Sequence, residues 1–208
     1  MIIGLPLALA VAWVLARCRF PGKELLNGLV HLPLILPPVV TGYPLLMLFG
    51  RRGPLGELLE HGFGVVVAFR WTGAVIAATV MAFPIMVRPI RLSIEAIDRR
   101  LEAAAGTLGA SPLAVFATVT LPLALPGIVA GGILGFAKGM GEFGATITFV
   151  SNIPGETRTL PLAIHTLLQV PGGELGALRL TLIAVAVSLA ALLAAELLGR
   201  ALARRIAA

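Results

Sequence analysis

Between Glu102 and Lys138 the chain runs for 35 residues without an Asp, Glu, Lys or Arg. A straight helix rising about 1.5 Å per residue crosses the hydrocarbon core of a bilayer in about 20 residues. A stretch this long therefore holds a span and something besides. Ser111-Pro112 divides it, because serine is a strong N-cap and proline is favoured in the first turn of a helix. A new helix is expected at Pro112, with its span over Leu113 to Ala137. Four further apolar runs share the character of this one: residues 1–16, Leu25 to Gly50, Val65 to Val87 and Leu180 to Leu198. The second contains Pro33, Pro37, Pro38 and Pro44, which predicts broken helical geometry. The third carries Arg70 near its start, with Trp71 placed as an interfacial anchor.

The expected fold is an all-α integral membrane protein, a polytopic bundle of about five spans, or six if the segment from Gly139 to Gly176 also crosses. That segment holds Pro154, Pro161 and Pro171 and reads as short helices and loops, with residues 143–153 and 160–170 too short to cross and suited to re-entrant packing. The first run has no basic flank of the kind a secretory signal carries, and its 16 residues read as a span cut short at its start. Only 12% of the 208 residues are charged, against roughly 25% in soluble domains, and the mean hydropathy is +1.00. One membrane domain over residues 1–208 accounts for the chain, so soluble chemistry must come from partners.

Basic residues fix the orientation. Arg17, Arg19 and Lys23 lie in the first loop, Arg88, Arg91, Arg99 and Arg100 in the third, and Arg200, Arg204 and Arg205 at the end. Five crossings put all three groups on the cytoplasmic side. The opposite loops offset Arg51, Arg52, Arg158 and Arg179 with Glu57, Glu60, Glu156 and Glu174. The net charge of +6 is thereby accounted for by topology, and no nucleic-acid partner is expected. Cys18 is the single cysteine, which excludes a disulfide or a Cys-based metal site within one chain. His31, His61 and His165 are widely spaced, and no metal or other cofactor is expected. Gly139 to Gly144 fits G-x-G-x-x-G formally, but it follows a membrane helix with no βαβ pattern around it. No Walker A sequence and no G-x-S-x-G elbow occurs, so the chain is expected to carry no ATPase site and not to be an enzyme.

The most informative segment is the cytoplasmic one from about residue 91 to 112: Ile97-Asp98-Arg99-Arg100-Leu101-Glu102-Ala103-Ala104-Ala105-Gly106-Thr107-Leu108-Gly109-Ala110-Ser111-Pro112. The alanines favour a short helix, and the glycines permit a turn and close approach by another backbone. A helix along the membrane surface, with a small-residue face open to a cytoplasmic partner, is the physical reading. The segment resembles the EAA loop of binding-protein-dependent ABC importer permeases, whose pattern is Glu-Ala-Ala, three residues, Gly, nine residues, Ile-x-Leu-Pro. Gly109, Val119, Leu121 and Pro122 keep that spacing; the Glu position falls on Ala103, with Glu102 one residue early.

Leu36-Pro37-Pro38-Val39-Val40-Thr41-Gly42-Tyr43, Phe49-Gly50-Arg51-Arg52-Gly53-Pro54-Leu55-Gly56, Gly141-Glu142-Phe143-Gly144-Ala145-Thr146, Asn152-Ile153-Pro154-Gly155 and Thr159-Leu160-Pro161-Leu162-Ala163-Ile164 are similar to the molybdate transporter permeases. This likeness covers nearly the whole chain. It implies the type I ABC importer permease fold and a homodimer with its pathway between the two copies. It also implies two cytoplasmic ATPase subunits and an external molybdate-binding protein. The place is the bacterial or archaeal cytoplasmic membrane, with multiple passes, and the cargo is molybdate or tungstate. Glu102, Ala103, Ala104, Ala105, Gly109, Ser111, Pro112, Leu121 and Pro122 would then receive the ATPase's motion. The alternatives are a sulfate or thiosulfate ABC permease and an ion-coupled secondary transporter, the latter needing buried ionisable residues for which only Lys138, Glu142 and Glu196 are candidates.

Lys138 and Glu142, four apart, share a helix face. Either they line the pathway, with Lys138 meeting a divalent oxyanion and Glu142 shaping the gate, or they neutralise each other as a structural pair. Thr41 either offers a hydroxyl to a passing oxyanion or satisfies a carbonyl freed by proline.

Overall fold

The computed structural model describes residues 1–207, with side chains through Ala201; those of Arg204 and Arg205 lie outside the described residues. Helices make up the regular structure among these residues. They are α1 (Gly4–Arg17), α2 (Lys23–Ile35), α3 (Pro38–Phe49), α4 (Pro54–Phe63), α5 (Trp71–Glu95), α6 (Arg99–Thr107), α7 (Pro112–Val115), α8 (Leu121–Met140), α9 (Gly144–Val150), α10 (Leu160–Leu168) and α11 (Glu174–Ala207). A π-helical turn, Phe116–Thr120, joins α7 to α8, so that Pro112–Met140 is one apolar helix of 29 residues.

Among the described residues, three helices are long and apolar enough to cross a bilayer: α5, the α7 to α8 helix, and α11. The proline-rich second run makes α2 and α3, bent by 116° at Leu36-Pro37, which count as a fourth crossing when taken together. Proline at position 38 opens α3 where its missing N–H costs nothing. The fifth apolar run is α1, 14 residues long. The third run differs from its expected bounds: the helix begins at Trp71, after a loop in which Phe69 adopts φ +59°, and continues to Glu95. Arg91 and Glu95 thus lie within this helix, one turn apart and paired at 2.8 Å. Residues 143–153 and 160–170 form the short helices α9 and α10, seven and nine residues long.

The chain divides into two compact units. One takes Met1–Gly28, Phe83–Gly135 and the chain from Ala190; the other takes Leu29–Ala82 and Phe136–Leu189. In the first, Ala8, Ala12 and Leu15 of α1 are fully buried, as are Met86, Ile90 and Ile94 of α5. Gly127, Gly131 and Gly135, spaced by four, let α8 lie directly on α5: a Cβ at Gly131 would come within 2.8 Å of the Met86 carbonyl, and one at Gly127 within 2.7 Å of the Pro89 carbonyl. Small residues at this spacing bring helices together in lipid, where apolar burial alone gives no drive. In the second unit, Leu45, Val67, Ala77, Met81, Phe149 and Val150 form the core. There α3 and α9 meet backbone to backbone, since a Cβ on Gly42 would stand 2.7 Å from the Ala145 carbonyl.

Candidate functional site

The residues singled out by sequence fall into two groups, one in each unit. In the first unit, Asp98 caps α6 by accepting from the Arg100 amide at 2.9 Å, and Ser111 caps α7 by accepting from the Ala114 amide at 3.3 Å. Between these caps α6 has no buried residue, and Ala103, Ala104 and Gly109 lie at the surface with Ala105 half-buried. Leu108 is 88% exposed. Gly109 turns the chain with φ +88°, a left-handed conformation that a side chain would oppose. The result is a short surface helix presenting alanines and Leu101, capped at its start by Asp98 and followed by the exposed Leu108 and the Ser111-capped start of α7.

Glu102 faces inward from this helix. Its Oε1 accepts from Arg17 Nη2 at 3.1 Å and from Thr120 Oγ1 at 2.7 Å, and its side chain is 20% exposed. Arg17 also donates to the Ile97 carbonyl at 3.3 Å. A cavity of 370 Å³ lies beside them, lined by Trp13, Arg17, Arg99, Glu102, Phe116 and Thr120 among others. Leu121 and Pro122 follow immediately at the start of α8. The π turn accommodates Pro122, which has no N–H to donate back one turn and whose ring would meet the Thr118 carbonyl in an ordinary α-helix. Widening the preceding turn relieves that clash.

In the second unit, Lys138 Nζ stands 3.1 Å from Glu142 Oε2. Glu142 is only 2% exposed, and its Oε1 accepts from the Ala145 amide at 2.9 Å, inside the first turn of α9. The carboxylate therefore joins the end of α8 to the start of α9, and the charge favours that helix N-terminus. Lys138, with 31% of its side chain exposed, is the member of the pair open to the surroundings. Thr41 is buried on α3 and Thr146 on α9, and neither hydroxyl has a hydrogen-bond partner. Of the two readings of Thr41, the bond to a backbone carbonyl is not made in this structure. No group of three or more potential metal ligands occurs among the described residues.

Sequence reasoning missed three participants. Arg17 was legible only as a topological charge, and Thr120 as the variable position of the Leu-Pro motif. Thr146 had no signal beyond its place after Gly144-Ala145.

An apolar helical bundle with an exposed surface helix following α5 is an architecture that suits a membrane transport component. The sequence pattern of the binding-protein-dependent transport system inner membrane component family matches residues 4–208, and the chain belongs to that family. It is 58% identical over 200 residues to the molybdenum transport system permease protein ModB of Escherichia coli (strain K12), covering 96% of this chain and 87% of that protein. The molybdenum transport system permease protein ModB of Haemophilus influenzae is 55% identical over 206 residues, covering 99% of this chain and 90% of that one. The sulfate transport system permease protein CysT of Salmonella typhimurium is 39% identical over 161 residues, covering 77% of this chain and 58% of that protein. Among solved structures, a bacterial ABC transporter importing the acidic polysaccharide alginate superposes with a TM-score of 0.71 at 17% identity, covering 96% of this chain and 73% of that one. This last likeness concerns the fold.

Proposed function

We propose that this chain is the membrane permease of an ATP-driven importer that carries molybdate into the cell. The observation that carries the reading is 58% identity over 96% of the chain to a molybdenum transport permease, compared with 39% over 77% for a sulfate permease. Tungstate, with the same tetrahedral shape and charge, belongs to the same cargo class.

In this reading two copies of the chain enclose the pathway, two ATPase subunits dock on the cytoplasmic face, and a binding protein delivers the anion outside. ATP is hydrolysed on the ATPases, and this chain makes and breaks no covalent bond. Each of the ATPase's states favours one state of the pathway, so nucleotide binding and release shift the permease between outward and inward arrangements. The contact surface is α6 and the turn after it: Ala103, Ala104, Ala105 and Gly109 supply a face without bulk, and Ser111 and Pro112 fix where the next helix starts. Glu102 holds that face from behind, and Leu121 and Pro122 lead the motion into α8. Lys138 is the cation offered to the oxyanion, since an ionisable group at membrane depth is a functional candidate by default. Thr41 adds a hydroxyl. Glu142 positions Lys138 and does not contact the cargo.

Uptake of radiolabelled molybdate tests this in a bacterial strain that lacks its own molybdate permease. Restoring uptake should require this chain together with its ATPase and binding protein. Uptake that persists when the ATPase is inactivated would instead make the chain a secondary transporter, and restored uptake of sulfate alone would change the cargo.

A further inference from the structure

We propose that Arg17, Glu102 and Thr120 form a clasp that carries the stroke of α6 into α1 and α8; they are positioning residues for coupling, and the inference rests on the permease reading above. The coupling helix has no buried residue of its own, so apolar packing does little to fix it to the bundle. Among the described residues, the side-chain hydrogen bonds linking α6 residues to other helices both end on one atom, Glu102 Oε1. One donor is 85 positions earlier, in the last residue of α1; the other is 18 positions later, in the last residue of the π turn.

Each part of the clasp has a physical reason to be where it is. Arg17 reaches Glu102 with a side chain only 10% exposed, and its Nε is buried without a partner. A charge so placed holds its carboxylate strongly, because losing the carboxylate would leave the guanidinium uncompensated. Thr120 is 2% exposed, so the Glu102 carboxylate takes the place of water for its hydroxyl. The π turn sets the direction of that hydroxyl. One extra residue in a helix of 3.6 residues per turn rotates the helix after it by roughly 100° relative to the helix before it. The widening accommodates Pro122 and ends at Thr120, whose hydroxyl faces α6. A push on α6 thus arrives at one atom that is bonded to two membrane helices at once. Without the clasp, α6 could pivot at Gly109 and leave the helices behind.

The test uses the assembled transporter, with permease, ATPase and binding protein in proteoliposomes, and the variants Arg17→Met, Thr120→Val, Glu102→Arg and the exchange Arg17→Glu/Glu102→Arg. Arg17→Met and Thr120→Val should assemble normally and keep the basal ATP hydrolysis seen without binding protein. The stimulation by molybdate-loaded binding protein should fall about tenfold in Arg17→Met and about threefold in Thr120→Val, as expected for losing a charged and a weaker hydrogen bond. The exchange variant should regain part of what Glu102→Arg loses, which a purely structural loss would not do. Full stimulation in both Arg17→Met and Thr120→Val, or an exchange no better than Glu102→Arg, would overturn the clasp.

Amide exchange on the permease alone separates the clasp from the choice of cargo. Arg17→Met should speed exchange in α6, and unchanged exchange there would also overturn the clasp. A wild-type complex that molybdate does not stimulate would count against the functional reading, while faster exchange in that variant would still support the clasp.

Discussion

Two carboxylates organise this chain, and they do so over different distances. Glu142 is bonded within its own neighbourhood, to Lys138 four residues before it and to the Ala145 amide three after it. Glu102 is bonded to Arg17 and Thr120, 85 and 18 residues away. The first is nearly sealed from solvent and stiffens a single helix junction. The second is partly open and ties together elements that are otherwise separate. A buried local pair gives a region one fixed shape. A pair made between distant elements lets the movement of one become the movement of others, which fits α6 being an exposed, lightly packed helix while the surroundings of α9 are buried.

If that contrast holds, substitutions should separate stability from coupling. Glu142→Ala should have the largest effect on folding, about 3 kcal/mol or more, because it leaves Lys138 without its charge partner and the Ala145 amide without an acceptor. Thermal unfolding of the detergent-solubilised permease measures this, and a midpoint near wild type would erase the distinction between the two carboxylates. Gly42→Val comes next, at about 1 to 3 kcal/mol, since a side chain there has to displace the α9 backbone at the Ala145 carbonyl. The same unfolding measurement reads it, and an unchanged midpoint would mean that α3 and α9 do not need their close approach.

Ser111→Ala should cost about 1 kcal/mol of local stability by removing the cap on the Ala114 amide. Hydrogen exchange should quicken at Ala114 while the global midpoint barely moves; a large global loss would place the coupling turn in the folded core instead. Leu108→Ser should change stability least, within about 0.5 kcal/mol, as a side chain 88% exposed contributes little packing. It should nonetheless weaken co-purification with the ATPase, and full retention of the ATPase would move the docking surface away from α6.

The spans were legible because lipid leaves a strong mark on sequence. Charge-free runs and a proline cluster at 33–44 suffice to show which segments form the long apolar helices and that the second run is broken, but not where the helices end, since the run read as Val65 to Val87 is helical from Trp71 to Glu95. Ser111-Pro112 announced a helix start for the same local reason that it makes one. The Glu102 clasp was not legible, since it depends on a register set by a π turn and on an arginine from the far end of the chain. Glu142 was readable as the partner of Lys138, but its second bond to the Ala145 amide depends on where α9 begins, and Phe143 offers no side-chain cap to mark that point. The Gly127, Gly131, Gly135 stripe was visible as spacing. Which helix it faced required the fold.

The most direct measurement for the whole account is ATP hydrolysis in proteoliposomes containing this permease, its ATPase and its binding protein, compared with molybdate and with sulfate. The account predicts stimulation by molybdate and none by sulfate. Stimulation by sulfate alone would contradict the assigned cargo, and no stimulation in a complex shown to be intact would contradict the coupling of this chain to ATP.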